Sequence, residues 1–354
     1  MRNVLITGGA GFIGSNFIRY LLNHDAAEKL VNLDALTYAG HLENLVDIQS
    51  DSRYLFIQGD IRNRPLLDAL FAEHELDTVV NFAAETHVDR SIEDPALFLN
   101  VNVGGTQTLL EAALQHWRLK PDDKHCREYR RGCGFLQVST DEVYGSLPPA
   151  APSFREDSPL KPNSPYSASK ASADQFVRAY HQTYGLPCSI SRCCNNFGPY
   201  QFPEKLIPLM ILNALADKPL PLYGDGLQIR DWLYVEDQCS ALKAILDNGQ
   251  FGDIYNIGAT NEFSNLEIVR MILHELGKPE SLIEHVVDRP GHDRRYALDN
   301  SRITNELGWR PAHTFRKALK ATIDWYLNNH TWVEQMTNTS YQDYYARMYA
   351  ADTP

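Results

Sequence analysis

Near the N-terminus, Thr7-Gly8-Gly9-Ala10-Gly11-Phe12-Ile13-Gly14 joins an apolar run at 4–7 to a helical pattern at 12–22. No other stretch limits the fold as strongly. Glycine permits the tight turn and lets the backbone approach whatever binds there. The segment satisfies both G-x-x-G-x-x-G (Gly8, Gly11, Gly14) and G-x-G-x-x-G (Gly9, Gly11, Gly14). A helix start with free N–H groups and a positive dipole end suits a pyrophosphate. Asp34 ends the next apolar run, twenty positions after Gly14. A carboxylate there accepts from both ribose hydroxyls and repels a 2′-phosphate, so NAD is expected rather than NADP. The alternative is a glycine-rich turn beside a helix-capping Asp.

Short apolar runs and helical patterns alternate through the first half. Strands are expected at 4–7, 30–34, 54–58, 78–82, 135–140 and 188–193, with helices at 12–22, 96–117 and 164–184. Buried strands alternating with helices imply an α/β fold: a Rossmann-type, doubly wound parallel sheet covered on both faces. Residues 1–194 are read as the NAD-binding domain. Helical patterns at 204–215, 236–248, 265–276 and 315–328, with short strand-like pieces between, imply a smaller C-terminal α/β substrate lobe over 195–354. Part of that lobe is expected to return to the first domain. The charged segment 118–131 reads as a solvated surface excursion. Tyr341, Tyr344, Tyr345, Met348 and Tyr349 form a helical stripe expected to pack on the body.

The formal net charge of −12 argues against nucleic acid or an anionic membrane as the main partner, though not against a small phosphorylated substrate. No stretch approaches the ~20 apolar residues needed to span a bilayer, and no signal peptide is visible. Six cysteines, Cys126, Cys133, Cys188, Cys193, Cys194 and Cys239, make no Cys-x-x-Cys pair, so no metal site is expected. The adjacent Cys193 and Cys194 read as reduced thiols ending a buried strand. A cytoplasmic location is the expectation.

Tyr166-Ser167-Ala168-Ser169-Lys170 places a tyrosine and a lysine four apart on a helix begun by Ser164 as N-cap and Pro165 at the first helical position. A free phenol, with a pKa of about 10, is a poor base at neutral pH. A neighbouring ammonium is expected to lower it and let Tyr166 take a hydroxyl proton. Such a pair also arises by chance on surfaces. Thr140-Asp141-Glu142 ends the fifth strand, where two adjacent carboxyls suggest one proton taken and one given; the alternative is that one or both face solvent. Asp60 and Ile61 follow the third strand. Asp60 suits an adenine amino group, and an ordinary loop-start Asp is the competing reading.

Together these motifs resemble the extended short-chain dehydrogenase/reductase family, and within it the enzymes that dehydrate dTDP-glucose. The resemblance is carried by residues 7–14, 34–40, 83–91, 139–145 and 164–172. Further on it is carried by 195–200, 203–208, 228–237 and 288–296, so it runs from residue 1 to about Trp332. The Thr-Asp-Glu triplet is the sharpest discriminator. Related epimerases generally lack the acid pair, and GDP-mannose dehydratases typically show one acid there.

The resemblance implies a reaction with no net redox change. Tyr166, with Lys170, removes the C4 hydroxyl proton as NAD⁺ takes hydride; Thr140 holds that oxygen. Glu142 removes the C5 proton, Asp141 protonates the departing C6 hydroxyl, and hydride returns to C6. It implies that NAD is held by Gly8, Gly11, Phe12, Ile13, Gly14, Asp34, Thr37, Asp60, Ile61, Ala83, Ala84, Tyr166, Lys170 and Asn196. It implies that the dTDP-sugar is held by Thr86, Thr140, Asn195, Lys205, Leu206, Pro221, Tyr223, Arg230, Asn265, Arg289 and His292. For Arg230 the alternative is an ion pair with Asp231 or Glu236. The family also implies a homodimer formed through helices near 96–117 and 165–184. Competing readings are a UDP-glucose 4,6-dehydratase, a 4-epimerase, or a non-catalytic NAD-sensing regulator on the same fold.

Overall fold

In the computed structural model, which describes residues 2–288, 290–337 and 341, the alternating pattern builds one parallel sheet. Its strands from the first half are β1 (Asn3–Thr7), β2 (Lys29–Asp34), β3 (Tyr54–Gln58), β4 (Thr78–Asn81), β5 (Gly134–Thr140) and β6 (Cys188–Cys193). The second half contributes β7 (Asn195–Phe197), β8 (Leu220–Tyr223), β9 (Ile229–Tyr234), β10 (Ile254–Ile257), β11 (Glu262–Ser264) and β12 (Ile283–Val286). The main sheet has the order β3-β2-β1-β4-β5-β6-β10, and every pairing in it is parallel. Strand order reverses between β1 and β4, and such a switch point opens a crevice at the strands' C-terminal ends. Thr7, Asp34, Asn81, Thr140 and Cys193 all end there.

Alternation along the strands sorts side chains to two cores. Val4 and Ile6 pack on one face with Phe17, Ile18 and Leu21 of the helix Phe12–Asn23. Leu5 packs on the other with Leu109, Leu110 and Trp117 of the helix Thr106–Trp117. A strand buried on both faces must be apolar throughout, which is why these runs read clearly in sequence.

The single helix expected over 96–117 is instead three pieces. Pro95–Phe98 is α-helical, Leu99–Gly105 is π-helical, and Thr106–Trp117 is α-helical. Asn102 in the wide turn exchanges hydrogen bonds with the Glu85 backbone and donates to Ser169 Oγ at 2.8 Å. Gly105 lies so close to Ile61 that a Cβ would stand 2.5 Å from its Cδ1. The wide turn therefore docks this segment onto the crevice, a common use of π-bulges. A further helix, Arg64–Glu73, was not among those expected, although Asn63 caps it, Pro65 opens it and Leu67, Leu70 and Phe71 form its buried stripe; the strand β10 is a second addition. Four residues of β10 between Gly252 and Gly258 carry too little period to read, and only pairing with β6 makes them a strand.

Apart from β10, the strands of the second half form two small sheets, β11-β9-β7 and β12-β8. Their core holds Phe197, Trp232, Ile268, Phe315 and Tyr326. The expected helix over 204–215 begins at Leu206, with Lys205 in the N-cap position. The charged excursion is closed at its base by the bridge between Arg118 and Tyr129, and Tyr129 donates to Tyr184 O at 2.8 Å. Tyr341 donates to Pro203 O at 3.2 Å and meets Phe202 edge to face; Tyr344, Tyr345, Met348 and Tyr349 lie outside the described residues.

Candidate active site

The glycine loop explains its own composition. Gly8 has φ +68°, and a Cβ there would lie 2.7 Å from Ala83 N. A Cβ on Gly14 would lie 2.4 Å from Gly8 O. These two positions pack loop against strand and helix against loop. Gly11 differs: a Cβ would meet only Gly8 O, at 3.3 Å. Gly11 is the N-cap and no side chain caps the helix, so its first N–H groups lack intrahelical acceptors. Asp34 accepts from Ala10 N at 2.9 Å and Leu36 N at 2.8 Å. Burial pushes its carboxyl up, against the pull of those two N–H groups. The Ala10 carbonyl is gripped by Asn44 at 2.8 Å, and Trp332 Nε1 holds Asn44 at 2.7 Å.

The loop opens into a cavity of about 350 Å³, within the ordinary range for ligand pockets. All fourteen residues assigned to the cofactor line it, as do Thr86, Thr140, Asp141, Glu142, Asn195 and Lys205. Asp60 sits there with its carboxylate bound by Arg62 at 2.6 Å, which holds its pKa below the ordinary value. Ser139 Oγ, Asp141 Oδ2, Asn195 Oδ1 and Asn196 Oδ1 are buried without a hydrogen-bond partner among the described residues. Unsatisfied polar atoms grouped around one cavity are what a polar ligand would complete.

Ser164 caps the helix Pro165–Tyr184 through a capping box with Ser167, worth about 1 kcal/mol. The cap fixes where the helix begins and so brings Tyr166 and Lys170 to the cavity, both buried. Here one expectation fails for the protein alone. Tyr166 is pushed well above the ordinary phenol value, by burial first and then by Glu142, Cys193, Tyr38 and Asp141. Lys170 donates to Val138 O at 2.8 Å, and its own pKa is lowered by burial. The helical spacing was read correctly, but burial and nearby acids outweigh the ammonium.

Thr140 caps the turn Asp141–Tyr144, accepting from Glu142 N at 3.3 Å and donating to Asp141 Oδ1 at 3.2 Å. Asp141 is driven well above the usual carboxylate range by burial and by Glu142, with Arg230 opposing. A carboxyl whose proton affinity is raised beside a second acid can give a proton while its neighbour takes one.

Six further substrate candidates stand elsewhere. Leu206 and Asn265 each open a helix, and Pro221 and Tyr223 lie on one face of β8. Arg230 donates to Ile229 O and Asp293 O and stacks on Tyr296 with its carbon 4.2 Å from the ring centroid. Asp231 instead holds the backbone N–H groups of Ala259, Thr260 and Asn261, so the ion pair weighed for Arg230 does not form with it. His292 bonds Asp288 at 2.6 Å, lies edge-on to Tyr223, and lines a second cavity with Ser146, Asn163 and Arg294. Arg289 lies outside the described residues.

Several cavity residues escaped the sequence reading. Tyr38 shares a hydrogen bond with Thr86 at 3.1 Å under the Arg90 guanidinium. Glu204 is buried, its pKa raised by that burial. Cys193 and Cys194 are indeed free and buried, yet both line the cavity, although the sequence left them away from it. Alternating strand residues point to opposite faces, but the chain turns out of β6 at Cys193 and exposes both neighbours to one space.

A bare helix start at one end of the cavity, and a tyrosine, a lysine and two acids at the other, would set a dinucleotide against a hydroxyl-bearing substrate. That is the arrangement of the extended short-chain dehydrogenases/reductases. The chain belongs to the GDP-mannose 4,6-dehydratase family, whose pattern it matches over residues 5–322. It is 51% identical over 351 residues to the dTDP-glucose 4,6-dehydratase of Xanthomonas campestris pv. campestris (strain B100), covering 97% of this chain and 98% of that one. A dTDP-glucose 4,6-dehydratase from Streptomyces venezuelae, solved with NAD bound, superposes with a TM-score of 0.87 at 46% identity, over 94% of this chain and 99% of that one. A UDP-glucose 4-epimerase from Thermus thermophilus, in complex with NAD, gives 0.81 at 30% identity over 92% and 99%. The frame is therefore shared by dehydratase and epimerase.

Proposed function

We propose that the protein converts dTDP-glucose to dTDP-4-keto-6-deoxy-glucose and water, using NAD that stays bound through the cycle. The observation that carries this reading is the meeting of Asp141 and Glu142 with Tyr166 and Lys170 in one cavity. Simple alcohol oxidation needs no such acid pair. The full-length relatedness to dTDP-glucose 4,6-dehydratases supports the choice of nucleotide over UDP.

The loop fits NAD: Gly11 leaves its cavity side open, the helix start is bare, and Asn196 offers an unpaired amide oxygen. Gly11 to Gly14 would seat the pyrophosphate, Asp34 the ribose, and Asn196 the nicotinamide end. When bound, NAD supplies a hydride acceptor for C4, returns the hydride at C6, and brings a cationic ring that favours the Tyr166 phenolate. Tyr166 takes the C4 hydroxyl proton, with Thr140 orienting that oxygen. The C4 ketone acidifies C5–H, and Glu142 removes that proton. Asp141, whose hold on a proton burial strengthens, protonates the C6 hydroxyl so that it leaves as water; Glu142 then returns a proton to C5. Lys205, Asn195 and Thr86 in the cavity hold substrate, with Arg230, Asn265, Leu206, Pro221, Tyr223, His292 and Arg289 around the nucleotide. Guanidinium groups suit the diphosphate through paired donors.

The test offers dTDP-glucose and UDP-glucose separately, with deuterium at C4, and weighs the products. The expected product has lost water and carries the label at C6, from dTDP-glucose in preference. A product of unchanged mass would mean epimerisation.

The protein is also proposed to be a homodimer. Ile92, Leu97, Leu99 and Phe176 are exposed along the helices Val88–Glu93, Pro95–Phe98 and Pro165–Tyr184 and on the adjoining π turn, and a paired helix face would cover them. Sedimentation of the parent and of Phe176→Glu tests this. A cytoplasmic location suits six unpaired, buried thiols. Among the described residues, no helix is long and apolar enough to cross a membrane.

A further inference from the structure

Beneath the reactive pair lies a buried polar network that the reaction as written does not use. Asp174 is fully buried and stands one helical turn beyond Lys170, on the same face of the helix Pro165–Tyr184. One carboxylate oxygen accepts from Arg192 Nε at 2.9 Å; the other has no hydrogen-bond partner among the described residues. Arg192 is nearly as buried and lies on β6 directly beside Ser139, at the end of β5. It also donates to Tyr144 Oη at 2.9 Å and lies over that ring at 4.8 Å. Tyr144, the last residue of the turn that carries Asp141 and Glu142, donates in turn to Asn256 at 2.8 Å. The network thus ties the helix of Tyr166 to the turn of the two acids.

Charges in this region do not cancel pairwise. Around Lys170 the charged and titratable groups are Tyr166 and Asp174 on its own helix, Cys193 and Arg192 from β6, and Asp141 and Glu142 at the end of β5. Burial pushes the Asp141 carboxyl well above its usual range and the Cys193 thiol up to about 12. Arg192 is paired with Asp174, and Lys170 lies one turn before Asp174 on the same helix face. The Lys170 ammonium donates to the neutral Val138 carbonyl at 2.8 Å. An ammonium buried against a carbonyl alone tends to shed its proton.

We propose that Asp174 is a positioning residue of the reaction: a buried carboxylate, oriented by Arg192 and Tyr144, that keeps Lys170 charged and directed at Tyr166. The proposal rests on the reading of Tyr166 and Lys170 given above. Asp174 touches neither substrate nor cofactor; it acts through Lys170.

The sign of one shift separates this role from a structural one. Deleting a negative charge near Tyr166, with Lys170 still charged, makes the phenolate easier to form. If Lys170 instead loses its proton, the phenolate becomes harder to form. The measurement is the pH dependence of the oxidation step alone, read as reduced-nicotinamide absorbance after rapid mixing, in a Glu142→Gln background where elimination is blocked. Asp174→Asn keeps an oxygen for Arg192, and Asp174→Asn with Arg192→Met removes both partners so that no buried charge is stranded. In either, the pH of half-maximal oxidation is expected to rise by about one unit or more, with substrate KM unchanged. A midpoint that stays or falls overturns the proposal. Arg192→Met alone strands and disorients the carboxylate and deletes a cation, so it is also expected to raise that midpoint; a midpoint that stays or falls overturns the proposal even if both Asp174 variants fail to fold. Lys170→Met in the same background is the control. If it fails to raise the midpoint, the reading of Lys170 itself is wrong; if it raises it while the Asp174 variants do not, only the role of Asp174 falls.

Discussion

Alanine at Gly8 and alanine at Gly11 should fail in different ways, although they stand only three positions apart. At Gly8 the backbone is left-handed, φ +68°, which costs an L-residue about 1–2 kcal/mol. The added methyl would also stand 2.7 Å from Ala83 N and 2.8 Å from Ala83 Cα. These are backbone atoms at the exit of β4, held by Phe82 N donating to Thr7 O at 3.1 Å, and they cannot swing aside as a side chain can. Forcing packed segments apart adds about 1–3 kcal/mol. Gly8→Ala should therefore lose about 2–5 kcal/mol, a large share of the ~5–15 kcal/mol a native protein has. Gly11 has an ordinary φ of −81° and a single neighbour, at 3.3 Å. Its alanine should lose only about 1 kcal/mol, for a poorer N-cap. That methyl would nonetheless sit on the cavity side, where a pyrophosphate must approach. The assay is denaturant unfolding of NAD-stripped protein, followed by NAD titration. Equal stability of the two variants would refute the close approach at Gly8. Undiminished NAD affinity in Gly11→Ala would refute the placement of the pyrophosphate.

Asp141→Asn should trade activity for stability. Because burial raises the Asp141 carboxyl in the folded protein while the unfolded chain ionises near the ordinary value of about 3.9, the native residue costs stability as pH rises above that value. The variant should melt higher than the parent at pH 7, the gain vanishing below about pH 4, while turnover falls about 10²–10⁴-fold; equal melting temperatures at pH 7 would contradict the burial argument. Tyr166→Phe should stall before oxidation with little reduced nicotinamide formed on mixing with substrate, whereas Glu142→Gln should accumulate it as water loss nearly stops. Wild-type turnover by Glu142→Gln would remove that residue from the mechanism. Asp34→Ala should weaken NAD binding and relax discrimination against NADP, and a wild type that binds both equally would show that Asp34 serves the loop alone through Ala10 and Leu36.

What the chain announced by itself is what local geometry compels. Glycines at 8 and 14 are demanded by a left-handed turn against a strand and by a helix packed on a loop, both within seven residues. Ser164 and Pro165 start a helix wherever they stand, so the shared face of Tyr166 and Lys170 follows from spacing. Runs such as Val4-Leu5-Ile6 are apolar throughout because the sheet is covered on both sides. Other features exist only as relations between distant segments. Ile254–Ile257 is a strand because β6 offers it an edge. The π turn at Leu99–Gly105 is held by Glu85 and Ser169. Tyr38, Glu204 and Cys193 reach the cavity from three separate elements, and Asp174 meets Arg192 across eighteen residues. Proton affinity belongs to this second group. It depends on how much water the whole fold removes, which is why Tyr166 stands above its ordinary range despite the lysine one turn away, and why Asp141 holds a proton more tightly than its position in the chain betrays.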